Sequence, residues 1–326
     1  MENKWAIILG CSTGHGAAIA RQLATEGYGI IGFHLDRGSI KKNAIKLQQE
    51  LASLNNNRVK FWNENAADKE VMLSKMEEIE SFLENGKVKL LMHSIAFGST
   101  TNFFEPTPVR QRQMDMTQHV MAHCLIYWTQ ALLNNNLLIS GSRILGLTSE
   151  GSYKAMEGYG PVGVAKASLE AVVRQIGWEL GSKGITANTI QAGITPTRAL
   201  TKISKDWEDW VERTKERNPM KRVTTPEDVA GLVSLLLNDK ADFVNCSTIF
   251  CDGGEHRSLY FFLKISEITR PKPLFKSAEP LAINCIPFVA FVAFLFFTSR
   301  LIFLIFFIMK FRSFQQTHNC LNQTYE

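Results

Sequence analysis

The chain has 326 residues, 45% of them hydrophobic and 21% charged, the balance of a core-forming globular protein rather than a disordered or fibrous one. Its net charge of +5 contains no basic block, so nucleic acid is not indicated as a partner. Six scattered cysteines form no CxxC pair, which fits a reducing compartment and offers no metal site.

The first apolar run, Ala6–Leu9, reads as a buried parallel strand. It is too short for a signal peptide, so the expected location is cytoplasmic. Gly10-Cys-Ser-Thr-Gly14-His-Gly16 follows, then a helical run from Ala17 to about Glu26. Glycines let a backbone approach a pyrophosphate, and a helix N-terminus supplies free N–H groups. Gly10, Ser12, Thr13, Gly14, His15 and Gly16 are therefore candidate cofactor-binding residues. Tight turns use glycine too, and the loop gains weight from the strands and helices that come after it.

A second strand, Gly29–Phe33, leads to Asp36, which lies 20 residues past Gly16. A ribose-binding acid is expected at that distance in a dinucleotide fold. Arg37 beside it suits the 2′-phosphate of NADP, or is solvated surface. Together they leave NADH and NADPH both open, with a slight lean to NADPH.

A helix over 41–54, a strand over 59–62 leading to Asn65 and Ala66, a helix over 71–83 and a strand over 87–92 come next. That fourth strand ends at His93-Ser94-Ile95-Ala96. Alternating strands and helices at this pitch predict an α/β fold with a parallel sheet covered on both faces. Ligands in such sheets bind beyond the strand C-termini, where Gly10, Asp36, Asn65, Ser94 and Ser149 all fall.

Arg110 to about Leu133 reads as a long helix carrying His119 and His123 one turn apart. No third ligand accompanies them, so a polar helix face is expected and no metal. After a strand over 143–147 and Ser149, a run from Tyr159 to about Gly184 places Val162, Ala165, Leu169, Val173, Ile176 and Leu180 on one helix face. Tyr159 and Lys166 are two turns apart and share a face. An ammonium beside a phenol stabilises the phenolate and makes the phenol a proton donor. An ordinary helix with an exposed Tyr and Lys has the same pattern; the strand-and-loop order around it favours the catalytic reading. A sixth strand, Ile185–Ile190, leads to Gly193, Ile194 and Thr197. The polar, Trp-bearing stretch Arg198–Asn218 is expected to be a mobile lid. Thr225 caps a helix with Pro226 in its first turn, and Ser247–Cys251 is the last strand before Asp252-Gly-Gly254.

Composition changes after Gly254: all 22 glycines lie at or before it, and most of the phenylalanines lie after it. A domain over 1–257 and a tail over 258–326 are expected. Residues 281–309 are almost wholly apolar and long enough to span a bilayer, interrupted by Arg300. The tail is either a membrane anchor on a cytoplasmic enzyme or a non-native extension, such as a shifted reading frame.

Residues 1 to about 256 resemble the short-chain dehydrogenase/reductase family. The likeness rests on Gly10-x3-Gly14-x-Gly16, Asn188 with Ala192-Gly193, Pro226-Glu-Asp-Val-Ala230 and Asp252-Gly-Gly254. It implies a single Rossmann domain of about seven strands, and a homotetramer. Common carbonyl reductases of the family have Tyr four residues before Lys, but position 162 is Val. Tyr159-x6-Lys166 and His93-Ser-Ile-Ala resemble instead the enoyl-acyl-carrier-protein reductases, specifically the subgroup that keeps a GxxxGxG loop. Many enoyl reductases have a second Tyr where this chain has Ser149, and the family's Asn on the long helix has no counterpart in residues 115–123.

The resemblance implies an NAD(P)H-dependent reductase of an enoyl thioester, with a small or carrier-bound acyl substrate, as in fatty acid synthesis. Tyr159 would stabilise the enolate, Ser149 add a polar contact, Lys166 hold the nicotinamide ribose, and Ile194 and Thr197 hold the carboxamide edge. A carbonyl or alcohol dehydrogenase of the same family, and a non-catalytic dinucleotide-binding protein, are the alternatives.

Overall fold

The computed structural model describes residues 4–258. Seven parallel strands form one sheet in the order β3-β2-β1-β4-β5-β6-β7. They are β1 Lys4–Leu9, β2 Gly29–His34, β3 Val59–Asn63, β4 Lys87–His93, β5 Arg143–Thr148, β6 Thr186–Ala192 and β7 Thr248–Cys251. The winding reverses between β1 and β4, which pair through Leu9 and His93 at the strand ends. A crevice opens at such a reversal beyond the carboxyl ends of the strands.

Successive side chains of a strand point to opposite faces. In β1, Trp5, Ile7 and Leu9 enter one core and Ala6 and Ile8 the other. On the first face pack α3 (Lys69–Ser74), α4 (Met76–Leu83), α6 (Cys124–Asn134) and α7 (Gly160–Leu180), through Met72, Ile79, Trp128, Leu132, Leu169 and Val173. On the second pack α1 (Gly14–Thr25), α2 (Ser39–Leu54) and α10 (Pro226–Leu236), through Ile19, Leu23, Leu51, Val229 and Val233. Each such side chain, fully buried, contributes about 1.5–3 kcal/mol. Helices on both faces explain why the strands read as continuous apolar runs rather than alternating ones.

Most elements match their sequence expectation, with three differences. The helix expected over 71–83 is two helices that meet at Lys75, whose ammonium bonds Glu78 (2.7 Å) and lies over the Trp62 ring. The stretch Arg198–Asn218 is two short helices, α8 (Arg198–Ile203) and α9 (Trp207–Arg217), packed through Leu200 and Val211. The long helix over 110–133 is α5 (Gln111–Gln118), a π turn over His119–His123, and α6.

No helix among the described residues is long and apolar enough to cross a membrane. The candidate span 281–309 lies outside the described residues.

Candidate active site

The loop after β1 is shaped by close backbone approach. A Cβ on Gly16 would come within 1.9 Å of the Gly10 carbonyl oxygen, and one on Gly10 within 2.6 Å of the Ser94 carbonyl oxygen. Gly10 also has φ +92°, which an L side chain rarely adopts. The loop is pinned by Gly10 and Cys11 N–H groups donating to the Phe33 carbonyl (2.8 and 3.1 Å), and by Ser94 N–H donating to Leu9 (2.8 Å). Thr13 starts α1 without a side-chain cap, and no acidic side chain occupies the first turn. The first-turn N–H groups and the helix dipole are thus left for an anion. This cradle fits a dinucleotide pyrophosphate.

The other cofactor candidates lie along the same edge. Asp36 N–H donates to Asn63 Oδ1 (2.8 Å), and Asn63 Nδ2 donates back to the Asp36 carbonyl (3.1 Å). One Asp36 carboxylate oxygen comes within 2.9 Å of His34 Nδ1 without hydrogen-bond alignment, so it retains acceptor capacity. Arg37 is exposed, so the lean to NADPH, which rested on this side chain, gains no support from the structure; the better-shielded group just past β2 is the Asp36 carboxylate, its side chain 12% exposed. After β3, Asn65 Oδ1 accepts from Ala67 N–H (3.1 Å). The Ala66 carbonyl accepts from Trp128 Nε1 (2.7 Å), and His119 Nε2 bonds the Ala67 carbonyl (2.6 Å). Ser94, Ile95 and Ala96 follow β4, with Ser94 and Ile95 beside Gly10. Gly14 meets the Thr197 side chain, its absent Cβ lying 3.5 Å from Thr197 Cγ2, so the loops after β1 and β6 are neighbours.

Ser149 immediately follows β5, and its hydroxyl lies 3.1 Å from the Tyr159 hydroxyl. Tyr159 immediately precedes α7 and is 6% exposed. Lys166, also buried, donates Nζ–H to the Leu147 carbonyl (2.7 Å). Burial pushes the Lys166 ammonium down to about 8, against the nearby Glu170, which pulls it up. Burial pushes the Tyr159 phenol above its usual range, and the Ser149 contact only partly opposes this. The expectation that Lys166 acidifies Tyr159 is therefore not met. The lysine aims at the Leu147 carbonyl, and desolvation governs the phenol. His15 joins this neighbourhood: burial and the Lys166 charge push its imidazole down to about 4.

A cavity of about 660 Å³ opens beside Tyr159, lined by Phe103, Phe104, Tyr153, Met156, Gly160 and Val164 among others. Its volume and largely apolar lining suit a flexible acyl group. Among the described residues no group of His, Cys, Asp and Glu forms a metal site. His119 and His123 bond different partners, the Ala67 carbonyl and Ser168 Oγ (3.5 Å).

Sequence reasoning missed three contributors. His93 is fully buried, bonds the Val120 carbonyl through Nε2 (3.1 Å), and is pushed down to about 3 by burial and by Lys166. Glu170, one turn past Lys166, accepts from Thr148 Oγ1 (2.5 Å). Glu255, just after the Asp252-Gly-Gly254 signal, accepts from the Ile194 N–H (3.1 Å), so only the carbonyl of Ile194 is left for other partners. The i, i+4 spacing of Lys166 and Glu170 was a legible signal; the other two depend on tertiary contacts.

The family model described as enoyl-(acyl carrier protein) reductase matches residues 10–256. An enoyl-[acyl-carrier-protein] reductase [NADH] of Enterococcus faecalis is 28% identical over 78% of this chain and 98% of its own length. The pig dehydrogenase/reductase SDR family member 4 is 26% identical over 78% of this chain and 88% of its own. Among solved structures, the enoyl-(acyl-carrier-protein) reductase of Anaplasma phagocytophilum in complex with NAD is similar with a TM-score of 0.68. That pair is 23% identical, over 81% of this chain and 96% of the other, a likeness of fold.

Proposed function

Because the chain belongs to the enoyl-(acyl carrier protein) reductase family and is an NAD(P)-dependent oxidoreductase, we propose that it uses NADH to reduce the carbon–carbon double bond of an enoyl thioester carried by an acyl carrier protein. The observation that carries this reading is the position of Tyr159. It stands at the start of α7, about one turn, or 5 Å, before the Val162 position where a carbonyl reductase has its tyrosine. Hydride added to Cβ of an enoyl thioester drives charge to the thioester oxygen, farther along the substrate than a reduced carbonyl oxygen would be. A phenol set back by one turn reaches that oxygen.

In this reading Tyr159 donates a hydrogen bond to the developing enolate oxygen, and Ser149 orients the phenol from 3.1 Å. A donor already aimed at that oxygen lowers the barrier by electrostatic preorganisation. The phenol is protonated at neutral pH as any ordinary phenol is, and burial raises it further. Lys166, fixed on the Leu147 carbonyl, holds the nicotinamide ribose. Gly10, Ser12, Thr13, Gly14, His15 and Gly16 embrace the pyrophosphate; Asp36 takes the adenosine ribose hydroxyls. Asn65 and Ala66, then Ser94, Ile95 and Ala96, flank the adenosine and its neighbouring ribose, and Gly193, the Ile194 carbonyl and Thr197 face the carboxamide edge. The nicotinamide, when bound, supplies the hydride. Asp36 supports NADH over NADPH, since a carboxylate at that position repels a 2′-phosphate. The relative named for NADH agrees.

The reductase reading covers residues 1–257, with the tail outside it; a homotetramer belongs to the same proposal. The test is oxidation of NADH or NADPH followed at 340 nm with crotonyl-CoA. Turnover with NADH supports the proposal. Activity on ketones and none on crotonyl-CoA selects the carbonyl reductase reading.

A further inference from the structure

Outside the Ser149, Tyr159 and Lys166 group lies a buried carboxylate that the chemistry above leaves unused. Glu255 is 1% exposed. Its Oε2 accepts from the Ile194 N–H at 3.1 Å, and its Oε1 accepts from Arg217 Nη2 at 2.6 Å. A carboxylate at this depth is costly unless its charge is met by a partner and its lone pairs by donors. Here a guanidinium meets the charge and a backbone amide takes the second oxygen.

The two partners belong to segments that a cofactor would touch or that would cover it. Ile194 is the second residue of the β6–α8 connection, which runs through Thr197 to α8. Arg217 is the last residue of α9, at the helix end that favours a cation. Asn218, the next residue, donates Nδ2 to the Asp252 carbonyl (2.8 Å). The end of α9, the turn after β7 and the loop after β6 therefore converge on one side chain. Gly193 is part of the same device. A Cβ there would meet Glu255 Oε2 and Thr224 Oγ1, each at 2.6 Å, so the carboxylate occupies the space a side chain would need.

We infer that Glu255 is a positioning residue: by tying Ile194 and Arg217 to one carboxylate it fixes the direction of the β6–α8 loop, and through it the affinity for the nicotinamide end of the dinucleotide. This rests on the reading that the Ile194 carbonyl and Thr197 face that end. Glu255 itself touches no reacting atom. A loop whose direction is preset loses less freedom when a ligand docks on it.

The test compares NADH with ADP-ribose, which shares the adenosine and pyrophosphate but lacks nicotinamide. Binding of each is measured by calorimetry on the full chain, its Glu255→Gln variant and its Glu255→Ala variant. Glu255→Gln keeps an acceptor for Ile194 N–H and loses the charge toward Arg217; should the Ala variant fail to fold, this one carries the test. NADH affinity is expected to fall about threefold in the Gln variant and about tenfold in the Ala variant, with ADP-ribose within about twofold of the parent in both. Equal weakening of both ligands would mean that Glu255 only supports folding, and overturns the inference. Unchanged or tighter NADH binding overturns it as well. A parent that binds neither ligand overturns the cofactor reading and this inference together. Selective loss of NADH in a protein inactive on crotonyl-CoA supports the role of Glu255 while refuting the enoyl substrate.

Discussion

The Tyr159 hydroxyl lies 3.1 Å from the Ser149 hydroxyl, whereas the Lys166 ammonium donates to the Leu147 carbonyl. The phenol is thus oriented by a neutral neighbour, and burial pushes it further above its usual range. Such a group is suited to donating a hydrogen bond to an enolate rather than to shuttling a proton as a phenolate. Removing the hydroxyl, as in Tyr159→Phe, should cut single-turnover hydride transfer by about 10²–10³, the effect of losing one oxyanion donor. NADH affinity should stay near the parent value. A transfer rate within a few-fold of the parent would remove Tyr159 from the mechanism.

Lys166 is expected to trade stability for cofactor binding. Its folded-state pKa of about 8 lies below the ordinary lysine value. Below pH 8 both folded and unfolded chains carry the proton, and the folded state bears the full cost of a buried ammonium. Between pH 8 and the ordinary lysine value the unfolded chain holds more protons, so this cost is relieved as pH rises. Lys166→Met should therefore melt higher than the parent at about pH 7, with the gap narrowing toward about pH 10. The same variant should lose most NADH affinity. A lower melting temperature near neutral pH would show that the bond to Leu147 outweighs desolvation.

Acid should unfold the protein by way of two histidines. His15 and His93 are pushed down to about 4 and about 3, both mainly by burial. Their unfolded forms take up protons near pH 6.5, and the folded forms do not until pH 4 or lower. Stability contributed by the neutral rings is present above pH 6.5 and falls as pH drops toward 4. In His93→Gln the amide can still reach the Val120 carbonyl but cannot titrate. The loss of melting temperature between about pH 7 and about pH 4.5 should be smaller in this variant, by thermal scans in matched buffers. An identical slope would exclude His93 as a source.

Cofactor choice should follow Asp36, not Arg37. Asp36→Ala is expected to weaken NADH by about 1.5–3 kcal/mol, the scale of hydrogen bonds to a charged group, while NADPH is weakened less or improved. Arg37→Ala should leave NADH within about twofold, because an exposed guanidinium contributes little to a ligand that lacks the 2′-phosphate. Titrations of both variants with both cofactors decide this. Selective loss of NADPH binding in Arg37→Ala would reinstate a role for the arginine.

The strands were legible because burial on both faces leaves no polar interruption in runs such as Ile7–Leu9 and Ile144–Leu147. The glycine loop was legible because φ and contact distance at Gly10 and Gly16 admit no side chain. Lys166 and Tyr159 were found by helical spacing, but their electrostatics were not. Whether an ammonium lowers a phenol depends on where each side chain points, and a carbonyl in β5 decided that. Glu255 escaped notice because its partners lie 61 and 38 residues away in the chain. A lone acidic residue past a glycine pair looks like solvated surface until those contacts exist.

The π turn over His119–His123 has a consequence for the loop after β3. Nine residues of regular α-helix would turn His119 and Trp128 to nearly opposite sides, about 180° apart. A π turn accommodates one extra residue, which takes back about 100° of that rotation. Both side chains can then grip one short stretch of backbone, His119 at the Ala67 carbonyl and Trp128 at the Ala66 carbonyl. Regularising this turn into α-helix without removing a residue would swing the two side chains back to about 180° apart and force the helix to let go with one hand or the other. The winding of the helix, and not only its composition, is therefore under constraint, because an unbroken α-helix of the same length would still release one of the two carbonyls after β3.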